Sequence, residues 1–244
     1  YKYSTPYYVK RFDYQPYNPN RREKKIRYKS AEEEEENEKR SLRRAKTILT
    51  DTALCNDFDL FVTFTFAKDR QNVDGKKRQM AFWLNNQRIL HGKFKYLIVP
   101  EYHKDGESLH FHGLFTGYKG NLKDSGKLQK GRVIYNIKSF QSGFTTAVKI
   151  DNIQKTASYI AKYITKEMPK FKNKQRYWCS NGLKRPLKIL NPLLNDTDIL
   201  LFTIVHKNPH QEIFEMKGEM SDKDIARIAD YGRRRTDDLY VADW

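Results

Sequence analysis

Residues 94–115 read FKYLIVPEYHKDGESLHFHGLF, two apolar runs separated by a polar stretch that contains Asp105-Gly106. Asp-Gly suits the left-handed backbone of a tight hairpin turn, so Phe94–Glu101 and Ser108–Phe115 are expected to pair as antiparallel strands. A turn centred on Asp105-Gly106 pairs Lys104 with Glu107 and, counting outward, Glu101 with His110 and Val99 with His112. The two-residue period of a strand sends His110 and His112 to one face, and Leu109, Phe111 and Phe115 to the other. A carboxylate is thus expected directly across from the first of two imidazoles that share a sheet face.

The His110-Phe111-His112 spacing alone would also suit two unrelated, partly buried histidines. With Glu101 added, the set offers two nitrogen donors and one oxygen donor, with room for further ligands. That combination suits a divalent metal, Mn²⁺ or Mg²⁺, able to polarise a phosphate oxygen as a Lewis acid. His103, in the turn itself, is a competing ligand.

Outward from the hairpin the same periodicities continue. In Phe58–Phe66, Leu60, Val62, Phe64 and Phe66 alternate with Asp59, Phe61, Thr63 and Thr65, as in a strand. Met80, Trp83, Leu84 and Gln87 give Lys76–Leu90 a helical face, Thr145–Ile150 and Arg176–Ser180 read as short strands, and Asn152–Lys166 reads as a helix. Upstream, Ser30-Ala31-Glu32-Glu33 is a capping box, and Glu35/Lys39 and Glu36/Arg40 fall at i,i+4 on a solvated helix face. The result is an α+β chain with a split βαβ arrangement around an antiparallel sheet. A strand or buried helix is expected around Ile199–Val205 and a helix around Ser221–Arg233.

The stretch Ala157-Ser158-Tyr159-Ile160-Ala161-Lys162-Tyr163-Ile164-Thr165-Lys166 places two tyrosines at i,i+4, each followed three residues later by a lysine. Ile153, Ala157, Ile160 and Ile164 form the apolar stripe of this helix; both tyrosines lie about 100–140° from its centre and both lysines nearly opposite. Border tyrosines of this kind commonly only pack against a core. A tyrosine can also form a covalent phosphodiester intermediate where a metal activates the phosphate and cations steady the charge. Tyr159 and Tyr163 are therefore candidate nucleophiles, and Lys162 and Lys166 candidate phosphate contacts.

The 244 residues carry a formal net charge of +17, from 47 Lys plus Arg against 30 Asp plus Glu, which calls for a polyanion partner. No apolar run approaches the roughly 18–20 residues of a membrane span. Two cysteines, Cys55 and Cys179, are too few for a disulfide framework and lack zinc-site spacing. Tyr1 to Asp13 contain no unbroken apolar segment of the secretory kind, and no initiator Met is present, so a trimmed cytoplasmic chain is expected. Tyr1 to Lys29 hold seven tyrosines and a basic cluster from Arg21 to Arg27, suited to stacking bases along a phosphate backbone or to strapping over the domain.

Taken in order, these residues resemble the HUH endonuclease superfamily and, within it, the rolling-circle replication initiators of single-stranded DNA phages and plasmids. Phe61-Val62-Thr63-Phe64-Thr65-Phe66 resembles their first motif, His110-Phe111-His112 the second, and Tyr159 to Lys166, which reads Tyr-x-x-Lys-Tyr-x-x-Lys, the third. The resemblance runs from about Phe58 to Lys166. It implies a ferredoxin-like or RRM-like palm with a central five-stranded antiparallel sheet flanked by helices. It also implies metal ligation by His110, His112 and Glu101, and sequence-specific nicking and joining of single-stranded or hairpin origin DNA through a 5′-phosphotyrosine. The expected organisation is a Tyr-rich basic arm over residues 1–30, an HUH endonuclease domain over 31–190 and an extension of unknown role over 191–244.

Gly120 to Lys127 fails the phosphate-loop pattern, so a host helicase and replication machinery are expected partners in a bacterial cytoplasm, with no membrane involved. Three other readings compete. Conjugative relaxases usually place the tyrosine near the N-terminus and use three histidines, and transposases of the superfamily commonly use one tyrosine. A non-catalytic single-strand-binding module would use the arm and the basic surface alone.

Overall fold

The computed structural model describes residues 7–12, 30–169, 175–185, 202–208, 211–216, 221 and 223, with two compact units, 29–185 and 1–28 together with 186–244. In the second unit β1 (Tyr7–Phe12), β10 (Gln211–Met216) and β9 (Phe202–Asn208) form a three-stranded antiparallel sheet in the order β1-β10-β9. Sequence reading found no strand period in residues 1–29; β1 is defined by a partner some two hundred residues away, which no local pattern announces. The basic cluster Arg21 to Arg27 lies outside the described residues, as does the helix expected at Ser221–Arg233 apart from residues 221 and 223.

The larger unit opens with α1 (Ala31–Leu54). Its N-terminus carries the expected capping box: Ser30 Oγ accepts from Glu33 N–H, and Ser30 N–H donates to Glu33 Oε2, both at 3.2 Å. Then come β2 (Leu60–Phe66), α2 (Val73–His91), β3 (Lys95–Tyr102), β4 (Leu109–Thr116), β5 (Leu122–Gln129), β6 (Arg132–Ile137), β7 (Gly143–Lys149), α3 (Ile153–Ala161) and β8 (Trp178–Cys179). The strands make one open sheet in the order β5-β6-β7-β2-β4-β3-β8, and every pairing in it is antiparallel.

The sheet has seven strands, not the five expected. The five anticipated from sequence are its β7-β2-β4-β3-β8 section. The other two belong to a hairpin over residues 122–137, to which sequence reading gave no strand. Lys130 (φ 49) and Gly131 (φ 77) turn this hairpin through two successive left-handed residues, the geometry that lets a two-residue turn follow the strand twist. Lys-Gly is a weaker signal for it than Asn-Gly or Asp-Gly, and β5 exposes most of its side chains, so neither turn nor burial pattern stood out.

Strand alternation divides the core in two. Leu60, Val62, Phe64 and Phe66 of β2 point with Phe111 and Phe115 to one face, where Met80, Trp83 and Leu84 of α2 cover them. Phe64, Trp83, Phe115 and Phe140 meet there at ring separations of 5.0–6.3 Å. On the opposite face, Leu97, Val99 and Leu114 pack against Leu49 and Ala53 of α1 and Ala157 and Ile160 of α3. At about 1.5–3 kcal/mol for each large apolar side chain removed from water, these two clusters supply the main driving force of the unit. The face under α1 and α3 is also the one that carries the histidines.

Candidate metal and tyrosine site

In the hairpin, Glu101 lies opposite His110 and Val99 opposite His112, the register that the Asp105-Gly106 turn implies. Asp105 secures the connection: its carboxylate accepts from the backbone N–H groups of Glu107 (2.9 Å) and Ser108 (2.8 Å). These bonds, with the Ser108 side-chain bond, hold its pKa far below the usual carboxylate range. Gly106 N–H donates to His103 O at 2.8 Å and His103 N–H to Ser108 O at 2.7 Å, completing a turn that fixes the strand register beyond it.

β2 flanks the histidine strand on its other side, with Thr63 opposite His112 and Thr65 opposite His110. Thr63 Oγ1 lies 3.1 Å from His112 Nδ1, and Thr65 Oγ1 lies 3.4 Å from His110 Nδ1. Each imidazole is therefore held by its Nδ1 side. His112 Nε2 meets Glu101 Oε2 at 2.6 Å. His112 is buried and His110 half-buried, with the ring of His103 stacked 4.9 Å from that of His110. Burial first, then the charges of His103 and His112, hold His110 below the ordinary histidine range against the opposing pull of Glu101 and Asp105. His110 is thereby kept in the neutral form, whose nitrogen lone pair can bind a cation.

α3 begins at Asn152, whose side chain accepts from Lys155 N–H at 2.8 Å, and buries Ala157, Ile160 and Ala161. It ends at Ala161, five residues short of the helix expected from sequence. Lys162, Tyr163 and Ile164 donate their N–H groups to Tyr159, Ile160 and Ala161, three residues back, at 3.2 Å each. Such bonds wind the chain by about 120° per residue instead of 100°, so Tyr163 rotates away from the line of Tyr159 and inward. Its ring lies flat on His112, centroids 3.7 Å apart and planes within 3°. Tyr159 remains 47% exposed, meets Tyr163 edge-on at 5.4 Å, and rests against Phe61 at 5.6 Å.

A hydrogen bond joins the two phenolic hydroxyls. Burial, this bond, and the charges of Tyr159 and Glu101 all push the Tyr163 phenol far above its ordinary value, so its proton leaves only as a new bond forms at the oxygen. The structure thus brings Glu101, His110, His112, Tyr159 and Tyr163 to one place. Lys162 is exposed with Nζ 5.9 Å from the Tyr159 ring centre. Lys166 is also exposed but lies toward α1, where its charge helps to lower the pKa of Glu35 after the nearer Lys39. Thr63 and Thr65 received no role from sequence; the signal was their two-residue alternation beside the histidine strand, readable only once the β2–β4 register is known.

Residues 59–168 match the replication-associated protein ORF2 family. The matched segment runs from β2 through the tyrosine turn and contains every residue of the cluster, while α1 and everything after residue 168 lie outside it. The resemblance seen in the three sequence motifs therefore holds over this part of the chain. No curated protein and no solved structure matches the chain. Among the described residues, no group of three or more His, Cys, Asp or Glu side chains is arranged to hold a metal ion, and no helix is long and apolar enough to cross a membrane.

Proposed function

We propose that residues 59–168 form a metal-dependent HUH nuclease that nicks and rejoins single-stranded DNA to initiate rolling-circle replication. The observation that carries this reading is the packing of Tyr163 on His112, which places a candidate nucleophile against the candidate metal ligands within a segment that matches a replication-associated family.

The donor set fits a divalent ion in kind. His110 and His112 have their Nδ1 atoms occupied by threonines and their Nε2 atoms on the far side, and Glu101 already reaches Nε2 of His112. When bound, Mn²⁺ or Mg²⁺ would withdraw charge from a phosphate oxygen and make the phosphorus more electrophilic. Binding at Nε2 obliges each ring to carry its proton on Nδ1, whereas the His112–Glu101 bond puts it on Nε2. A threonine hydroxyl both donates and accepts, so Thr63 and Thr65 hold the rings in either tautomer. Thr63→Val and Thr65→Val should each weaken Mn²⁺ binding by about 10- to 100-fold with little change in thermal stability, and Ser should restore it. Calorimetric titration of Mn²⁺ showing wild-type affinity in the Val variants would reject this positioning role.

For the cleavage step, a tyrosine oxygen attacks the phosphorus, the P–O3′ bond breaks, and the phenolic proton ends on the 3′ oxygen. No water is consumed, so the phosphodiester is conserved as a 5′-phosphotyrosine and a 3′-OH can reverse the reaction or prime synthesis. Lys162, beside Tyr159, is suited to the phosphate charge; Lys166 would need to swing from α1 to join it. The function is tested by incubating the full chain with a library of single-stranded oligonucleotides and Mn²⁺. Nicking at one sequence is expected. Binding without nicking at any sequence would favour a non-catalytic single-strand-binding module.

A further inference from the structure

One aromatic on the histidine face takes no part in the arrangement above. Across four adjacent strands, Phe144 pairs with Thr65, Thr65 with His110, and His110 with Glu101, so the four side chains form one row on one sheet face. Phe144 is two strand spacings from His110, about 10 Å. Its side chain is 59% exposed, while its neighbours in β7, Thr145 and Ala147, are buried on the opposite face.

The backbone beneath it is tightly fixed. At Gly143 a Cβ would collide with the carbonyl oxygen of Thr65 and lie 2.9 Å from Phe66 Cα, so only glycine lets β7 run this close to β2. Ala67 N–H donates to Ser142 O at 3.0 Å just beyond, and Ile137 N–H to Thr145 Oγ1 at 2.7 Å on the other side. An exposed phenyl ring on rigid strands, with no loop to fold it away, loses little conformational freedom when it is covered. Farther out on the same face, β5 presents exposed Lys123 and Lys127, paired with Asn136 and Ile134 of β6.

We propose that Phe144 is a stacking platform for a base of the single-stranded DNA flanking the scissile phosphate, with the strand's backbone continuing toward Lys123 and Lys127. The proposal rests on reading the histidine face as the site that handles single-stranded DNA. An aromatic platform beside lysines suits that polymer because every base offers a flat apolar face and every linkage a negative charge. The chain's net charge of +17 favours the same partner.

The test uses the full chain in EDTA, so that binding is read without cleavage, and single-stranded oligonucleotides in which 2-aminopurine is moved one position at a time. Wild type should quench the fluorophore at one or two positions. Phe144→Ala should abolish that quench and raise Kd by about 5- to 100-fold. Phe144→Leu, apolar but without a π face, should behave like Ala, and Phe144→Trp should keep both quench and affinity. Nicking with Mn²⁺ is scored on the same strands. If wild type nicks but Phe144→Ala leaves Kd and quench unchanged, or alters only self-association, the platform is overturned and the nuclease stands. If wild type shows the Phe144-dependent quench but never nicks, the nuclease reading fails while the platform stands. Absence of any single-strand binding by wild type overturns both.

Discussion

Replacing His110 or His112 with Ala is expected to lower Mn²⁺-dependent nicking by at least about a hundredfold while changing single-strand affinity by only several-fold. The two quantities draw on different parts of the molecule. Affinity for a polyanion comes mainly from displaced counterions, and with 47 Lys and Arg residues the chain keeps its basic surface whichever histidine is removed. Turnover needs charge withdrawn from one phosphate at one place, and losing a group that stabilises developing charge typically costs about 10²–10³-fold. His112→Ala also removes the ring on which Tyr163 lies, so it should be the more damaging of the two. Nicking and fluorescence anisotropy on the same labelled strand measure both effects. Full metal-dependent nicking by the double variant would remove the histidines from the site.

The tyrosine pair carries the second large effect. Rolling-circle replication requires one transesterification to open the origin and another to close the finished circle, and a tyrosine already bound to DNA cannot make the second attack. Tyr163 is half-buried against His112, while Tyr159 is exposed and tied to it through their hydroxyls. A small side-chain shift can exchange them at one phosphate. Tyr159→Phe and Tyr163→Phe should therefore each still form covalent adducts, with joining impaired, and the double variant should form none. Complete loss of adduct in one single variant, with wild-type cleavage and joining in the other, would leave one catalytic tyrosine and reject alternation.

Much of this arrangement could be read from local pattern because its determinants are local. Asp105-Gly106 fixes the hairpin register, and that register alone puts Glu101 across from His110. The strand at Phe58–Phe66 and the α2 helix follow from period-two and period-three-to-four burial that the structure reproduces. What escaped depends on distance or on subtle backbone change. The β5–β6 hairpin is mostly exposed and so carries no burial period, and β1 finds its partner at the other end of the chain. The shortening of α3 arises because three-residue hydrogen bonds replace four-residue ones after Tyr159, a change invisible in a sequence whose apolar stripe continues to Ile164. That tightening separates the roles of the tyrosines, one packed on an imidazole and the other open to solvent. The threonine clasp on the histidines likewise needs the β2–β4 register, which brings together residues nearly fifty positions apart.

The central claim is that this face cuts DNA by transferring a phosphodiester to tyrosine, and peptide mapping of the covalent product tests it most directly. The full chain would be incubated with Mn²⁺ and a single strand, labelled at both ends, that it cleaves, then quenched in denaturant, digested and examined by mass spectrometry, with EDTA as control. A metal-dependent nucleotide adduct on Tyr159, Tyr163 or both, together with a released strand ending in 3′-OH, is the predicted result. Cleavage that yields a free 5′-phosphate with no adduct at any reaction time, or an adduct confined to a tyrosine outside Tyr159 and Tyr163, would contradict it.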